Sequence, residues 1–376
     1  MLIEAKHSWR DSSSAQPGQI LLEKGTVRAV GTQLGTPDIR CAYMGPGLFD
    51  QHIHGSNGVN VMTAHADDMM QWLEQLAQGG TAAVLPTLYT APTPRMRAAL
   101  ETVAHVVRLQ RAGAGGARVL GVHLEGPYIS PQYLGTMDPK YLQPTTIEGY
   151  DQLVNGLEEI VRLVTLAPEQ PGADELTRRL TARGIRVMAG HTAAGAEEGA
   201  AAFEAGVSGI CHFFNAAIPI HHRKPGILTS ALLDKRIYAE CISDMVHVHP
   251  YAVRLLYQVK GPRRMILISD GVATTGLADG EYTNCEETVL VRNGQSRSPE
   301  GNLTGGTYPL AGCVRAAAAH GIPAVDALRM ASITPRRFLG LRGSGTQPGQ
   351  SALMTCLNAQ LEPVLTVVGP RTYPAA

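Results

Sequence analysis

Eight short apolar segments, separated by stretches of helical periodicity, constrain the fold of this 376-residue chain more than any other feature. Each segment ends in polar, Gly or Pro residues, and the stretches between them, such as ADDMMQWLEQLAQ, repeat apolar residues at steps of three and four. The segments are 47–54, 81–87, 118–125, 161–169, 186–191, 208–215, 238–244 and 264–270. Eight strand and helix alternations over about 220 residues predict an α/β fold with a closed, TIM-like (β/α)8 barrel. An open doubly wound sheet is the alternative, but no Gly-rich dinucleotide turn follows an early strand.

The two ends of the chain have a different pattern. Residues 1–44 and 345–376 contain strand-like segments joined by turn residues, as in GQILLEKGTVRAVG. We expect these ends to pair into a small β-sandwich domain beside a barrel domain of residues 45–344. Inside the barrel domain, residues 281–306 predict a β-hairpin insertion.

Charge and composition exclude several classes of function. Lys+Arg 32 and Asp+Glu 32 cancel, so the chain lacks the basic surface that binds nucleic-acid backbones or anionic membranes. No stretch approaches the roughly 18 apolar residues that span a bilayer, and the first thirty residues lack the apolar region of a signal peptide. The cysteines occur singly, as is typical of reduced thiols, at Cys41, Cys211, Cys241, Cys285, Cys313 and Cys356. We therefore expect a cytoplasmic protein with no nucleic-acid or membrane partner.

Ionisable residues stand at the ends of the predicted strands, which is where TIM-like barrels place their active sites. These residues are His52, His54, Glu125, His191, His212 and Asp270. Because alternate residues of a strand point to one face, His52 and His54 offer two imidazoles to one metal ion. Each residue alone is compatible with a helix cap or a buried hydrogen bond. Together they predict a site for zinc, iron or a related divalent ion.

Six motifs carry a resemblance to a known family. In chain order, the segments PGLFDQHIHG, HLEGPYIS, AGHTAAG, CHFFNAAIP, SDMVH and LISDG resemble the amidohydrolase superfamily and, within it, the N-acetylglucosamine-6-phosphate deacetylases. The resemblance implies that Glu125, His191 and His212 bind one divalent metal. It also implies that His52 and His54 can hold a second ion bridged by Glu125, because the fourth strand, VTLAPE, has no Lys to serve as a carbamylated bridge.

The resemblance further implies amide hydrolysis by a metal-activated water, with Asp270 accepting the proton and returning it to the leaving amine. Asp244, in the similar string ISDM, competes for this role. Residue types alone do not choose between the two aspartates, and the resemblance favours Asp270. We expect His123 to be a hydrogen-bond partner of the metal site rather than a ligand.

For the substrate, the resemblance implies a small phosphorylated amino sugar bound by a homodimer. Asn215 and Ala216 match a backbone contact to phosphate, and Arg223 and His247 match side chains that reach the neighbouring active site. An exposed loop charge is the alternative role for Arg223.

One departure leaves the substrate open. Met137 stands where many family members have a His that contacts the sugar, and a thioether cannot replace that hydrogen bond. Another N-acetylhexosamine phosphate or N-acyl amine is therefore an alternative substrate. A catalytically silent sugar-phosphate sensor is the alternative to an enzyme.

Overall fold

The computed structural model describes residues 1–9, 15–284 and 287–375, so Cys285 lies outside the described residues. The strands are β1 (Leu2–Ser8), β2 (Gln16–Glu23), β3 (Thr26–Gly31), β4 (Ile39–Pro46), β5 (Leu48–Ile53), β6 (Gly55–Ser56), β7 (Val59–Asn60), β8 (Thr81–Tyr89), β9 (Arg118–Val119), β10 (Val122–Glu125), β11 (Val161–Leu166), β12 (Arg186–Ala189), β13 (Gly209–Ile210), β14 (Tyr238–Ile242), β15 (Met265–Ile268), β16 (Gly280–Asn284), β17 (Glu287–Arg292), β18 (Gln295–Arg297), β19 (Leu303–Gly305), β20 (Leu353–Leu357), β21 (Pro363–Val368) and β22 (Arg371–Pro374). The helices are α1 (Ala66–Gln78), α2 (Thr93–Arg111), α3 (Ile147–Val154), α4 (Ala173–Ala182), α5 (Ala196–Ala205), α6 (Ile227–Leu233), α7 (Pro250–Lys260), α8 (Leu310–Ala319), α9 (Ala324–Met330) and α10 (Ile333–Phe338). Within these described ranges, no helix combines the length and apolarity needed to cross a bilayer.

Parallel strands form the predicted barrel, in the order β5-β8-β10-β11-β12-β13-β14-β15. The ring closes where Ile53 and Gly271 form a parallel bridge. The His54 amide donates to the Gly271 carbonyl across this seam at 2.7 Å. Each apolar segment expected to be a barrel strand contains one of these strands, so the prediction of a TIM-like barrel is confirmed.

Both faces of the barrel strands are buried, which explains why the strands read as continuous apolar runs. On β15, Met265 and Leu267 pack in the layer shared with the helices, whereas Ile266 and Ile268 belong to a separate cluster in the barrel interior. Phe338 from α10 joins this inner cluster, together with Phe49 near the start of β5. The interior is therefore a packed apolar core, and the predicted site residues lie above it at the carboxyl ends of the strands.

The two ends of the chain pair with each other, as the sequence predicts, in the order β22-β21-β20-β4-β1-β2-β3. An antiparallel bridge between Thr26 and Ser351 links the outer strand β3 back to the segment before β20. The sheet therefore curls around an apolar core that includes Ile3, Ile20 and Met354. Hydrogen bonds join all seven strands of the expected β-sandwich domain into this one curled sheet.

Residues 280–284 and 287–305 form a small antiparallel sheet of four strands, β16-β17-β18-β19, where the sequence predicted a β-hairpin insertion. The turn between β17 and β18 is the dipeptide Asn293-Gly294, with φ of 51° and 73°. These positive values are those of a type I′ hairpin turn, for which Asn-Gly is the strongest sequence signal. The Oγ1 of Thr274 and the Oγ of Ser296 are 2.7 Å apart and join this sheet to the loop after β15.

Trp9 connects the terminal sheet to the barrel and generates a stability prediction. Its side chain is fully buried in the barrel's outer core, and its Nε1 donates to Ser332 Oγ at 3.1 Å. Trp9→Ala is expected to lower the free energy of unfolding by about 3–5 kcal/mol, because it leaves a large cavity. Trp9→Phe keeps most of the bulk and should lose only about 1 kcal/mol with the hydrogen bond. Denaturant unfolding measures both, and equal losses in the two variants would contradict this role.

Candidate metal centre

The structure brings all six predicted metal-site and catalytic residues to the carboxyl end of the barrel. His52 lies on β5 and Glu125 ends β10, while His191, His212 and Asp270 each lie two residues beyond a strand end. The φ angles of these last three residues are 47°, 23° and 50°, in the left-handed region that non-glycine residues rarely adopt. Such strain, of order 1–3 kcal/mol per residue, is typical of functional sites held in place by surrounding structure.

Glu125 lies at the centre of the cluster and is almost fully buried. Its Oε1 is 3.0 Å from His212 Nε2, 3.2 Å from His191 Nε2 and 3.3 Å from His52 Nε2. Its Oε2 is 3.3 Å from His54 Nε2. Oε1 thus faces three imidazoles and Oε2 faces the fourth, so the one carboxylate contacts members of both pairs of histidines.

Backbone carbonyls fix the orientation of three of these imidazoles. The Nδ1 of His54 lies 3.1 Å from the Thr87 carbonyl oxygen, and the Nδ1 of His191 lies 2.8 Å from that of Tyr133. The Nδ1 of His212 faces the Asn215 carbonyl at 3.3 Å. Because a carbonyl only accepts hydrogen bonds, each Nδ1 carries a proton, and each Nε2 faces the cluster, where it binds either a second proton or a metal ion.

The cluster is therefore an assembly of acceptors that calls for cations. His191 Nε2 and His212 Nε2 are only 3.1 Å apart, although both also face a carboxylate. Ligand atoms placed about 2.1 Å from a tetrahedral zinc ion stand about 3.4 Å apart, close to the spacings seen here. Three groups of potential ligands lie together among the described residues: Glu125 with His191 and His212, His52 with His54 and Asp270, and His52 with His123 and Cys211. The first two contain the carboxylates. The donor set fits one or two divalent ions.

Electrostatics in the cluster also favour positive charge. Burial lowers the pKa of His54, but hydrogen bonds to Asp270 and Glu125 outweigh it and raise that pKa to about 9. Burial raises the pKa of Glu125, but the charge of His52 and the hydrogen bonds from His191 and His212 bring it well below its usual range. Buried carboxylates that stay ionised in this way stabilise a cation between them.

Glu240 orients His52, just as backbone carbonyls orient the other three imidazoles. This role was not predicted from the sequence. Glu240 is fully buried on β14; its Oε2 lies 3.2 Å from His52 Nδ1, and its Oε1 accepts a hydrogen bond from Gln51 Nε2 at 2.7 Å. An acidic residue inside the apolar strand YAECI was the signal that could have identified it. Its carboxylate orients His52 so that Nε2 faces Glu125 and Asp270.

His123 also lies beside the cluster. Its Nε2 is 2.8 Å from Thr165 Oγ1, and its ring packs edge-on against His52 at 4.6 Å between centroids. Burial and the positive charge of His52 place its pKa well below the usual range. His123 thus packs against His52 and is hydrogen-bonded away from Glu125, as expected for a supporting residue.

The two competing aspartates have different environments. Asp244 Oδ1 accepts from the backbone amides of Val246 and His247, both at 2.9 Å, and its Oδ2 contacts His247 Nδ1 at 2.8 Å and the Thr307 amide at 3.1 Å. Burial raises the pKa of Asp244, but these hydrogen bonds and the His247 charge lower it to about 2. Asp244 therefore stabilises the turn that carries His247. Asp270 Oδ1 instead lies 3.2 Å from His54 Nε2, at the metal cluster.

The predicted substrate residues divide into two groups. Asn215 and Ala216 lie beside the cluster, because the Asn215 carbonyl faces His212 Nδ1 and the Ala216 carbonyl accepts from the Thr192 amide at 3.1 Å. Half-buried Met137 belongs to the loop whose Tyr133 carbonyl contacts His191. Arg223 lies on an exposed loop, where its Nη1 is 2.8 Å from His222 Nε2.

Glu240→Gln tests the support of His52. The substitution keeps the shape of the side chain but removes the charge that faces His52 Nδ1, so we expect metal affinity to fall about 10–100-fold at the His52–His54 pair. Elemental analysis after dialysis against a weak chelator measures the loss. Glu74→Gln, on the exposed face of α1, is the matched control. Identical metal content in the two variants would show that Glu240 does not orient a ligand.

Comparisons with known proteins agree with this geometry. Residues 43–369 match the amidohydrolase family. The chain is 38% identical over 319 residues to an N-acetylgalactosamine-6-phosphate deacetylase of Escherichia coli O157:H7, covering 84% of each chain. It is 35% identical over 326 residues to an N-acetylglucosamine-6-phosphate deacetylase of Vibrio furnissii, covering 85% of this chain and 81% of the relative.

A solved structure supports the same assignment. It is a mutant N-acetyl-D-glucosamine-6-phosphate deacetylase from Mycobacterium smegmatis in complex with N-acetyl-D-glucosamine-6-phosphate. It superposes with a TM-score of 0.92 at 30% identity, covering 100% of this chain and 99% of the other. On these matches and on the resemblance of its motifs, the chain belongs to the amidohydrolase family.

Proposed function

We propose that the protein is a metal-dependent deacetylase that hydrolyses N-acetyl-D-glucosamine 6-phosphate to D-glucosamine 6-phosphate and acetate, a reaction of amino-sugar catabolism. The observation that carries the proposal is the buried Glu125 carboxylate, which faces four imidazole nitrogens at 3.0–3.3 Å. The names of the relatives supply the substrate class, a phosphorylated N-acetylhexosamine. Acetate release from this sugar phosphate by the metal-loaded protein is the direct test.

His52, His54, Glu125, His191 and His212 would hold the metal, and zinc or iron suits their imidazole and carboxylate atoms. Such an ion polarises a carbonyl and lowers the pKa of a bound water toward about 7. The protein's contribution is a buried site in which each of the four histidines is oriented by a backbone carbonyl or by Glu240.

Asp270 is the proton carrier in this proposal. Burial raises its pKa, but the charge of His52 and the hydrogen bond from His54 outweigh burial and lower that pKa, so the carboxylate is ionised near neutral pH. It accepts the proton of the attacking water and returns it to the amine that leaves. The left-handed backbone conformation of Asp270 directs its Oδ1 toward His52 and His54. The attacking water would lie beside these residues.

The phosphate group would be bound farther from the barrel axis. We assign His247 to the site of its own chain, because its side chain is nearly buried and held by Asp244 at the mouth of this barrel. The alternative is that His247, like Arg223, reaches the active site of a neighbouring subunit. Asn215 and Ala216 would supply backbone contacts, and the exposed Arg223 would reach across a homodimer. The homodimer and the cytoplasmic location remain part of the proposal.

Asp270→Asn distinguishes proton transfer from structural support. The amide cannot accept the proton, so kcat is expected to fall about 10²–10⁴-fold, while substrate affinity is retained. Asp244→Asn is the matched control: it should mainly raise KM and lower stability by about 1–3 kcal/mol, because a buried hydrogen-bond network is damaged. Steady-state acetate release and thermal unfolding measure both. A near-normal kcat in Asp270→Asn would indicate that Asp244, and not Asp270, carries the proton.

Arg223→Ala tests the contribution of a second subunit. If the guanidinium binds phosphate across a dimer, KM for the phosphorylated sugar should rise while kcat changes little, and the unphosphorylated sugar should be unaffected. Lys224→Ala, the neighbouring exposed charge, is the control. An unchanged KM for both sugars would leave Arg223 as an ordinary surface charge.

N-Acetyl-D-galactosamine 6-phosphate is a second candidate substrate. Two observations favour it: the 38% identical relative bears that name, and Met137 occupies a position where a sugar-binding His was expected. Comparing kcat/KM for the two epimers, with and without phosphate, distinguishes these substrates and other N-acyl amines. A metal-loaded protein that turns over none of them would indicate a sugar-phosphate sensor.

A further inference from the structure

A cleft of about 520 Å³ lies between α10 and the loop of residues 340–350. It is at the end of the barrel opposite the metal centre. Two contacts establish this position: Arg336, in the cleft, packs on Phe49 near the start of β5, and Gly340 lies close to Arg186 at the start of β12. The volume is in the range of small-molecule sites in proteins.

Arg336 is the unusual feature of this cleft. The residue is only 7% exposed, and its Nε and Nη2 atoms are buried without a hydrogen-bond partner among the described residues. The guanidinium lies 5.5 Å from the centre of the Phe49 ring. Burial lowers its pKa to about 10, so the group remains charged at neutral pH. A buried charge without a hydrogen-bonded partner is strongly unfavourable, and native proteins pair such groups.

The residues around Arg336 offer further hydrogen-bond donors. Among the described residues that line the cleft, none is acidic. The Nη2 of Arg186 comes within 3.7 Å of the position that a Cβ on Gly340 would occupy. Gln350 holds the loop in shape, because its Oε1 accepts from the Gly345 amide at 2.9 Å. Ser344 lines the same wall and adds a hydroxyl.

We propose that this cleft binds a phosphate group, either as inorganic phosphate or as the phosphate of a small metabolite. Nε and Nη2 are neighbours on one edge of the guanidinium, and this edge presents the two parallel N–H donors that grip phosphate oxygens bidentately. The two Arg336 atoms that lack a hydrogen-bond partner, Nε and Nη2, are therefore the two that would bind the phosphate oxygens. The site is separate from the metal centre and does not depend on the proposed deacetylase activity.

The test compares phosphate binding by the wild type and Arg336→Met. Calorimetry of the metal-loaded protein with inorganic phosphate, and separately with glucose 6-phosphate, should detect a site in the wild type whose affinity falls about tenfold or more in the variant, since charge-assisted hydrogen bonds are lost. Arg342→Met, an exposed arginine nearby, should bind like the wild type. Without phosphate, Arg336→Met should be at least as stable as the wild type, because an unpaired buried charge is removed.

The two ligands distinguish the source of the phosphate. Tighter Arg336-dependent binding of glucose 6-phosphate would indicate a phosphorylated metabolite, and binding of inorganic phosphate alone would indicate the free ion. If Arg336→Met folds poorly, Gln347→Glu is tested instead. Gln347 is exposed at the rim of the cleft, so a carboxylate at this position should not disturb folding but should repel the anion. Binding of both ligands that is equal in wild type, Arg336→Met and Gln347→Glu would overturn the proposal.

Discussion

The contact between one buried carboxylate and four imidazoles is the interaction on which the rest of this structure depends. Glu125 can remain ionised inside the barrel only because nitrogen atoms with cationic character, or the ions that they would bind, surround both of its oxygens. The same geometry obliges the backbone after β12, β13 and β15 to turn sharply, and His191, His212 and Asp270 adopt strained conformations there. The packed apolar interior beneath the cluster makes this strain tolerable.

Strand order converts scattered sequence positions into one site. The metal-site residues span His52 to Asp270, yet parallel strands in a closed ring bring their carboxyl ends to a single mouth. Closure between β5 and β15 is essential, because it places Asp270 beside His52 and His54, from opposite ends of the barrel sequence. A barrel opened at this seam would separate Asp270, the proposed proton carrier, from two of the five proposed metal ligands, His52 and His54.

Periodicity and motif spacing were sufficient to predict the barrel and the six residues at its strand ends. They could not supply what depends on three-dimensional contact. The apolar strand YAECI marks Glu240 as an unusual buried acid, but only the closed barrel shows that its partner is His52 on β5. The opposite roles of Asp244 and Asp270, both in Ser-Asp strings, follow only from their hydrogen bonds. Asn293-Gly294 indicates one hairpin turn within 281–306, but it does not indicate the two further strands that complete the four-stranded sheet.

Metal binding and hydrolysis both depend on Glu125 in the proposed mechanism, so one substitution at this residue tests both. Protein purified without chelator would be analysed for divalent metal and for acetate release from N-acetyl-D-glucosamine 6-phosphate, beside Glu125→Gln. The account predicts that the wild type carries metal and releases acetate, whereas the folded variant loses both together. A Glu125→Gln protein that keeps its metal and its turnover would contradict the account.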